Sequence, residues 1–168
     1  SQADAKYKRY IGNGAPKHFL SWSNNLTWRN FDLSVFFRGT FGFDVFNMRK
    51  YGMGLQGCGT DNVLRSAYLE DKNIRTGGGV ISSYFLEDGS FIKLENVTLG
   101  YNFTPKNRKL LDNMRIYLSA KNLFTLTGYS GNDPSIIDVN GIQPGVDSNS
   151  AYPTAVSYTH LRAHETLR

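Results

Sequence analysis

The stretch FIKLENVTLGYNF, residues 91–103, alternates without a break over its last eight positions. Val97, Leu99, Tyr101 and Phe103 fall on one side and Asn96, Thr98, Gly100 and Asn102 on the other. A period of two is that of a β-strand with one apolar and one polar face. Ile92 and Leu94 have the opposite parity to Val97 and Leu99. A one-residue bulge near Glu95 and Asn96 is expected to re-phase the strand; the alternative is that Ile92 and Leu94 face inward. Phe103 is the expected end, because Pro105 has no amide hydrogen to give to a ladder.

Three other segments repeat the pattern. From Phe19 to Trp28, Leu20, Trp22, Leu26 and Trp28 oppose Ser21, Ser23, Asn25 and Thr27, with Asn24 as the exception on the apolar side. Arg29 and Asn30 make a tight turn into a strand from Phe31 to about Phe43. Its apolar side holds Phe31, Leu33, Val35, Phe37 and Phe41; Asp32, Ser34, Arg38 and Thr40 take the other. After a short polar segment, Met114, Ile116, Leu118 and Ala120 alternate with Arg115, Tyr117, Ser119 and Lys121. Between these strands, residues 44–83 carry scattered charge and many glycines and read as one long loop, and a second runs from Thr127 to Pro153. The third strand is expected to enter after a turn at Glu87, Asp88 and Gly89.

Connections thus alternate short and long. A loop of about 40 residues is foreign to a compact soluble domain, whereas outer-membrane barrels have short periplasmic turns and long outer loops. Strands of ten or more residues are long for a sandwich and right for a tilted membrane strand. On this reading Arg29–Asn30 and residues 104–113 face the periplasm, with Trp28, Phe31 and Phe103 in an interfacial aromatic girdle. The alternative is a soluble β-sandwich that binds carbohydrate.

Composition narrows the rest. The 168 residues include 14% aromatics and 17 glycines, and no apolar run reaches the roughly 18 residues that a membrane helix needs. The net charge of +5 is spread over turns and loops, so nucleic acid is not an expected partner. Cys58 is the single cysteine, which leaves no disulfide framework and no thiolate cluster. The chain opens at SQADAKYKRY, with neither an initiator methionine nor an export signal, and the start of the gene product is expected to lie upstream.

The run YFLEDGSFIKLENVTLGYNF (84–103), then RIYLSAKNLFTLTGYSGNDP (115–134), and upstream YIGNGAPKHFLSWSNNLTWRNFDLSVFFRGTFGFDVFN (10–47), resemble the carboxy-terminal barrel region of the SusC/RagA family. YLED (68–71) sits in that family's usual loop, and the similarity covers about residues 10–154. The resemblance implies an all-β antiparallel meander, an incomplete set of roughly the last five strands of a transmembrane β-barrel of about 22 strands, the TonB-dependent receptor fold. It implies TonB-dependent import of oligosaccharides or peptides across the outer membrane, with a SusD-like surface lipoprotein as partner and energy from TonB, ExbB and ExbD. It brings no cofactor and no enzymatic activity. The rival within the class is a siderophore or vitamin receptor. Four or five strands leave two open edges, which hydrocarbon cannot satisfy, so the chain alone is not expected to form a stable monomer.

Residues 1–154 are assigned to this barrel region. The end AVSYTHLRAHETLR, residues 155–168, departs from the family's aromatic-ended last strand and is expected to be a non-native tail. His160, His164 and Glu165 have helical metal-ligand spacing but lack a third recognisable ligand and fall in this tail. Gly77, Gly78 and Gly79 lack the lysine of a phosphate loop, and His18 has no nucleophile motif beside it. Neither catalysis nor a metal site is expected. The candidate functional residues are Asp32, Arg38, Arg115 and Lys121, facing the lumen, and Tyr129, Ser130, Asn132 and Asp133 in the outer loop. These last combine an aromatic plane with hydrogen-bonding groups, as sugar recognition requires.

Overall fold

The computed structural model describes residues 9–54, 62–65, 68, 81–103, 114–136, 144–148, 152, 154–159 and 164–165. The turn expected at 104–113, Cys58, the Gly77 to Gly79 triplet and His160 lie outside the described residues. In chain order the elements are β1 (His18–Trp28), β2 (Phe31–Phe41), β3 (Asp44–Asn47), α1 (Met48–Met53), β4 (Leu86–Asp88), β5 (Phe91–Phe103), β6 (Met114–Thr127), β7 (Val146–Asp147), β8 (Ser157–Thr159) and β9 (His164–Glu165). Short 3-10 turns occupy Ser83–Phe85 and Pro134–Ile136. No helix among the described residues is long and apolar enough to cross a membrane.

The chain folds as two compact units. One gathers Ser1–His18, Phe41–Ser90 and Thr127–Pro153, the sequence of the long connections; the other gathers Phe19–Thr40, Phe91–Leu126 and Thr154–Arg168.

In the second unit the long strands form an open sheet in the order β1-β2-β5-β6-β8, with β9 also paired to β6. The register between β2 and β5 decides which residues share a face. Val35 pairs with Val97, Phe36 with Asn96 and Phe37 with Leu94, so Glu95 has no partner and is the extra residue of a bulge. Beyond it Gly39 meets Ile92. The bulge therefore brings Ile92 and Leu94 onto the face of Val97, Leu99 and Tyr101, as the alternation predicted. That apolar face is open: Trp22 is 53% exposed, Leu26 59%, Leu99 45% and Leu118 50%. A soluble sandwich would cover such a face with a second sheet. Near the Arg29–Asn30 turn, Trp28, Phe31, Tyr101 and Phe103 are linked by successive ring contacts at 4.7 to 6.5 Å, and the Arg29 guanidinium lies over Trp28.

The first unit corrects the reading of 44–83 as one loop. β2 stops at Phe41 rather than Phe43, and the chain then forms β3 and α1. Glu87 and Asp88, expected in a turn, lie in β4. A three-stranded sheet has β3 in the centre, antiparallel to β4 and parallel to β7, the one departure from a pure antiparallel meander among the described residues. Val45 is fully buried and Phe43 and Phe85 nearly so. The Phe85 ring meets Phe46 and Tyr51 edge-on. The six-residue helix α1 is capped by Asn47, whose side chain accepts from the Lys50 backbone N–H at 2.9 Å. Gly89 follows β4 because a Cβ there would lie 2.4 Å from the Phe43 ring.

Candidate functional site

The polar face of the six-stranded sheet carries paired charges. Arg38 Nε lies 3.1 Å from Glu95 Oε2, so the bulged residue supplies the counter-ion for an arginine on the neighbouring strand. Asp32 accepts from Arg115, two strands away, and from Asn102 Nδ2 at 3.2 Å. The reach across β5 depends on Gly100, which is directly opposite Asp32. Any Cβ there would fall 2.5 Å from the Asp32 carboxylate. Thr98, Ser119 and Asn96 continue the same polar row through hydrogen bonds of 3.1 and 3.3 Å. Lys93, 2% exposed, donates to Thr154 Oγ1 at 2.8 Å.

In the other unit a second network centres on Glu87. Its carboxylate accepts from the Ser130 backbone N–H at 2.9 Å, from the Ser130 hydroxyl at 2.8 Å and from Asn47 Nδ2, and it pairs with Lys50 Nζ at 3.4 Å. Burial pushes this carboxyl up, but the two Ser130 donors and the Lys50 ammonium more than offset it and hold the group below its ordinary value. Lys50 also stands 4.4 Å over the Tyr84 ring. Tyr129 is buried and donates to Asp147 Oδ2 at 2.6 Å. Burial, then the Asp147 carboxylate, raises its pKa well above the ordinary tyrosine value, so that bond persists through neutral pH. Beside Glu87 opens a cleft of about 610 Å³, whose lining includes Arg49, Lys50, Arg65 and Ser130.

No family model matches the chain. It is 29% identical over 143 residues to TonB-dependent receptor P3 of Formosa agariphila, covering 76% of this chain and 14% of that protein. It is 26% identical over 148 residues to TonB-dependent receptor SusC of Bacteroides thetaiotaomicron, covering 83% of this chain and 14% of the relative. Among solved structures, the RagAB peptide importer in its closed-closed state superposes with a TM-score of 0.74 at 25% identity, over 94% of this chain and 18% of that one. The chain is similar to TonB-dependent receptors of the SusC/RagA type. It spans about one seventh of the curated TonB-dependent receptors that it matches.

The residues predicted from sequence separate into two groups. Asp32, Arg38 and Arg115 share the polar sheet face, in two ion pairs. Lys121 is exposed on β6, at a position of the same parity as Arg115, and pairs in register with Ser157. In the loop unit, Tyr129 and Ser130 join the Asp147 and Glu87 networks. Asn132 Oδ1 accepts from Arg49 at 3.1 Å, and Asp133 accepts from the Ser135 backbone N–H at 2.9 Å, starting the turn at Pro134–Ile136. Sequence reasoning missed Asn47, Arg49, Lys50, Arg65 and Glu87. The available signal was Asn47, a capping residue three positions before Lys50. Among the described residues no group of three or more His, Cys, Asp or Glu side chains is placed to hold a metal ion.

Proposed function

We propose that this segment is wall and outer loop of an outer-membrane importer that takes up oligosaccharides or peptides with a SusD-like lipoprotein, powered through TonB, ExbB and ExbD. The observation that carries this reading is the six-stranded sheet with an open apolar face and an ion-paired polar face. Lipid would cover the first and the water-filled lumen would wet the second. Asp32, Arg38, Arg115 and Lys121 then line the lumen. Tyr129, Ser130, Asn132 and Asp133 act in the outer loop, where Ser130 reaches the cleft and Asn132 holds Arg49.

Deletion of the full-length receptor gene in its source organism is expected to abolish growth on a particular oligosaccharide or peptide supply, and deletion of tonB to do the same. Growth that fails only under iron or vitamin limitation would instead identify a siderophore or vitamin receptor. Recovery of the full-length protein in the aqueous phase without detergent would sink the membrane reading altogether.

Residues 1–154 are taken as the receptor's own and 155–168 as a foreign tail, of which Ser157–Thr159 pairs with β6, Tyr158 opposite Ala120. Resequencing the source DNA across this end is expected to replace the tail with an alternating, aromatic-ended strand. An unchanged reading overturns that assignment.

A further inference from the structure

We propose that the cleft of the loop unit receives a carboxylate group of the imported solute; this rests on the importer reading above. The cleft has the volume of a small-molecule site. Its lining carries three cations, Arg49, Lys50 and Arg65, against two carboxylates, Glu87 and Asp88. These charges are not equivalent. Lys50 is neutralised by Glu87 and held over Tyr84. Asp88 accepts from the Ser90 backbone N–H at 2.9 Å and from its hydroxyl at 2.6 Å. The two guanidinium groups have no carboxylate partner among the described residues.

The Arg49 guanidinium is held in position before any ligand arrives, and Arg65 is anchored through its backbone. Arg49 lies in the first turn of α1, which Asn47 caps, and its Nη1 is fixed on the neutral Asn132 side chain, which leaves its charge uncompensated. Arg65 follows Leu64, whose backbone N–H donates to the Met53 carbonyl at 2.8 Å. A guanidinium presents parallel N–H donors that match the two oxygens of a carboxylate, and pre-positioning reduces the entropy lost on binding. Ser130 adds a hydroxyl at the rim, already engaged with Glu87 and Asn47. The site is built for a planar anion on a polar chain. Both an acidic peptide and a uronic-acid oligosaccharide present that chemistry.

The test uses the purified full-length receptor in detergent, with its lipoprotein partner where the two co-purify. Binding is measured by calorimetry for a glutamate-rich hexapeptide against its glutamine twin, and for an oligogalacturonate against its methyl ester. At least one acid is expected to bind about tenfold more tightly than its neutral twin. The pair that shows the difference identifies the source of the carboxylate. In the Arg49→Gln/Arg65→Gln double variant the preference is expected to fall to near unity, and Arg49→Lys with Arg65→Lys to restore part of it. Raising salt from about 0.05 to 0.5 M is expected to shrink the preference in the parent protein. Retained heat-modifiable migration shows that each variant is folded. Equal binding of acid and neutral twins, no binding of any of the four, or a preference that survives the double variant overturns the proposal. Because binding is read in detergent, a receptor that prefers carboxylates yet supports no TonB-dependent growth would defeat the importer reading and leave this site standing.

Discussion

Val97→Arg in the full-length receptor is expected to remove most of the folded protein from the outer membrane, whereas Ser34→Arg is expected to leave its amount close to the parental level. Val97 is the middle residue of β5 and pairs with Val35 on the open apolar face. An arginine on the lipid side of a barrel costs about 2–4 kcal/mol near the midplane. Ser34 pairs with Thr98 one residue away, on the face of the Asp32 and Arg38 ion pairs, where a further cation meets water and carboxylates. The check is the heat-modifiable band of detergent-extracted outer membranes. Equal losses for the two variants would mean that both faces are packed against protein, as in a closed soluble fold.

Glu87→Ala is expected to loosen the loop unit by about 2–3 kcal/mol, seen as faster proteolytic cleavage within residues 41–90 of the full-length receptor. The substitution takes one acceptor from Ser130, Asn47 and Lys50 together and leaves a partly buried ammonium without its counter-ion. The effect has a pH signature. Glu87 is held below its ordinary value of 4.5 in the folded state, so its contribution is complete above that value and is lost as pH falls through the lower folded value. Protease protection in the parent should therefore decline in acid below about pH 4.5, and the Glu87→Gln variant should lack that limb. An unaltered acid limb in Glu87→Gln would assign it to another carboxylate.

The long strands were legible because a half-exposed sheet writes its two faces into alternate letters. Even the bulge could be placed, since Ile92 and Leu94 break parity with Val97 and only one extra residue repairs it. The charged candidates on β2 and β6 followed from the same alternation. The cleft was not legible. Its residues come from α1, from the segment at Leu64 and Arg65, from β4 and from the loop after β6, and only tertiary contacts bring them together. β3 and β7 have four and two residues, too short for a periodic signal. Their pairing is parallel, which local sequence does not announce. Ser130 was singled out for its hydroxyl, but what that hydroxyl reaches, Glu87, is 43 residues away.

Glu95 makes β5 a strand with two reading frames. Downstream of it, odd-numbered residues belong to the apolar face; upstream, even-numbered ones do. Were Glu95 paired like any other residue and the bulge absent, the downstream frame would turn Lys93 toward the apolar side and Ile92 and Leu94 toward the charged side. The two halves of this strand therefore tolerate substitution independently but share a single count of residues. A one-residue deletion at Glu95 is not equivalent to a change of side chain there, because it removes the bulge and leaves Ile92, Leu94 and Val97 on one face of a regular strand. In a lineage of such walls, strand length is free to drift only in pairs of residues or at this joint.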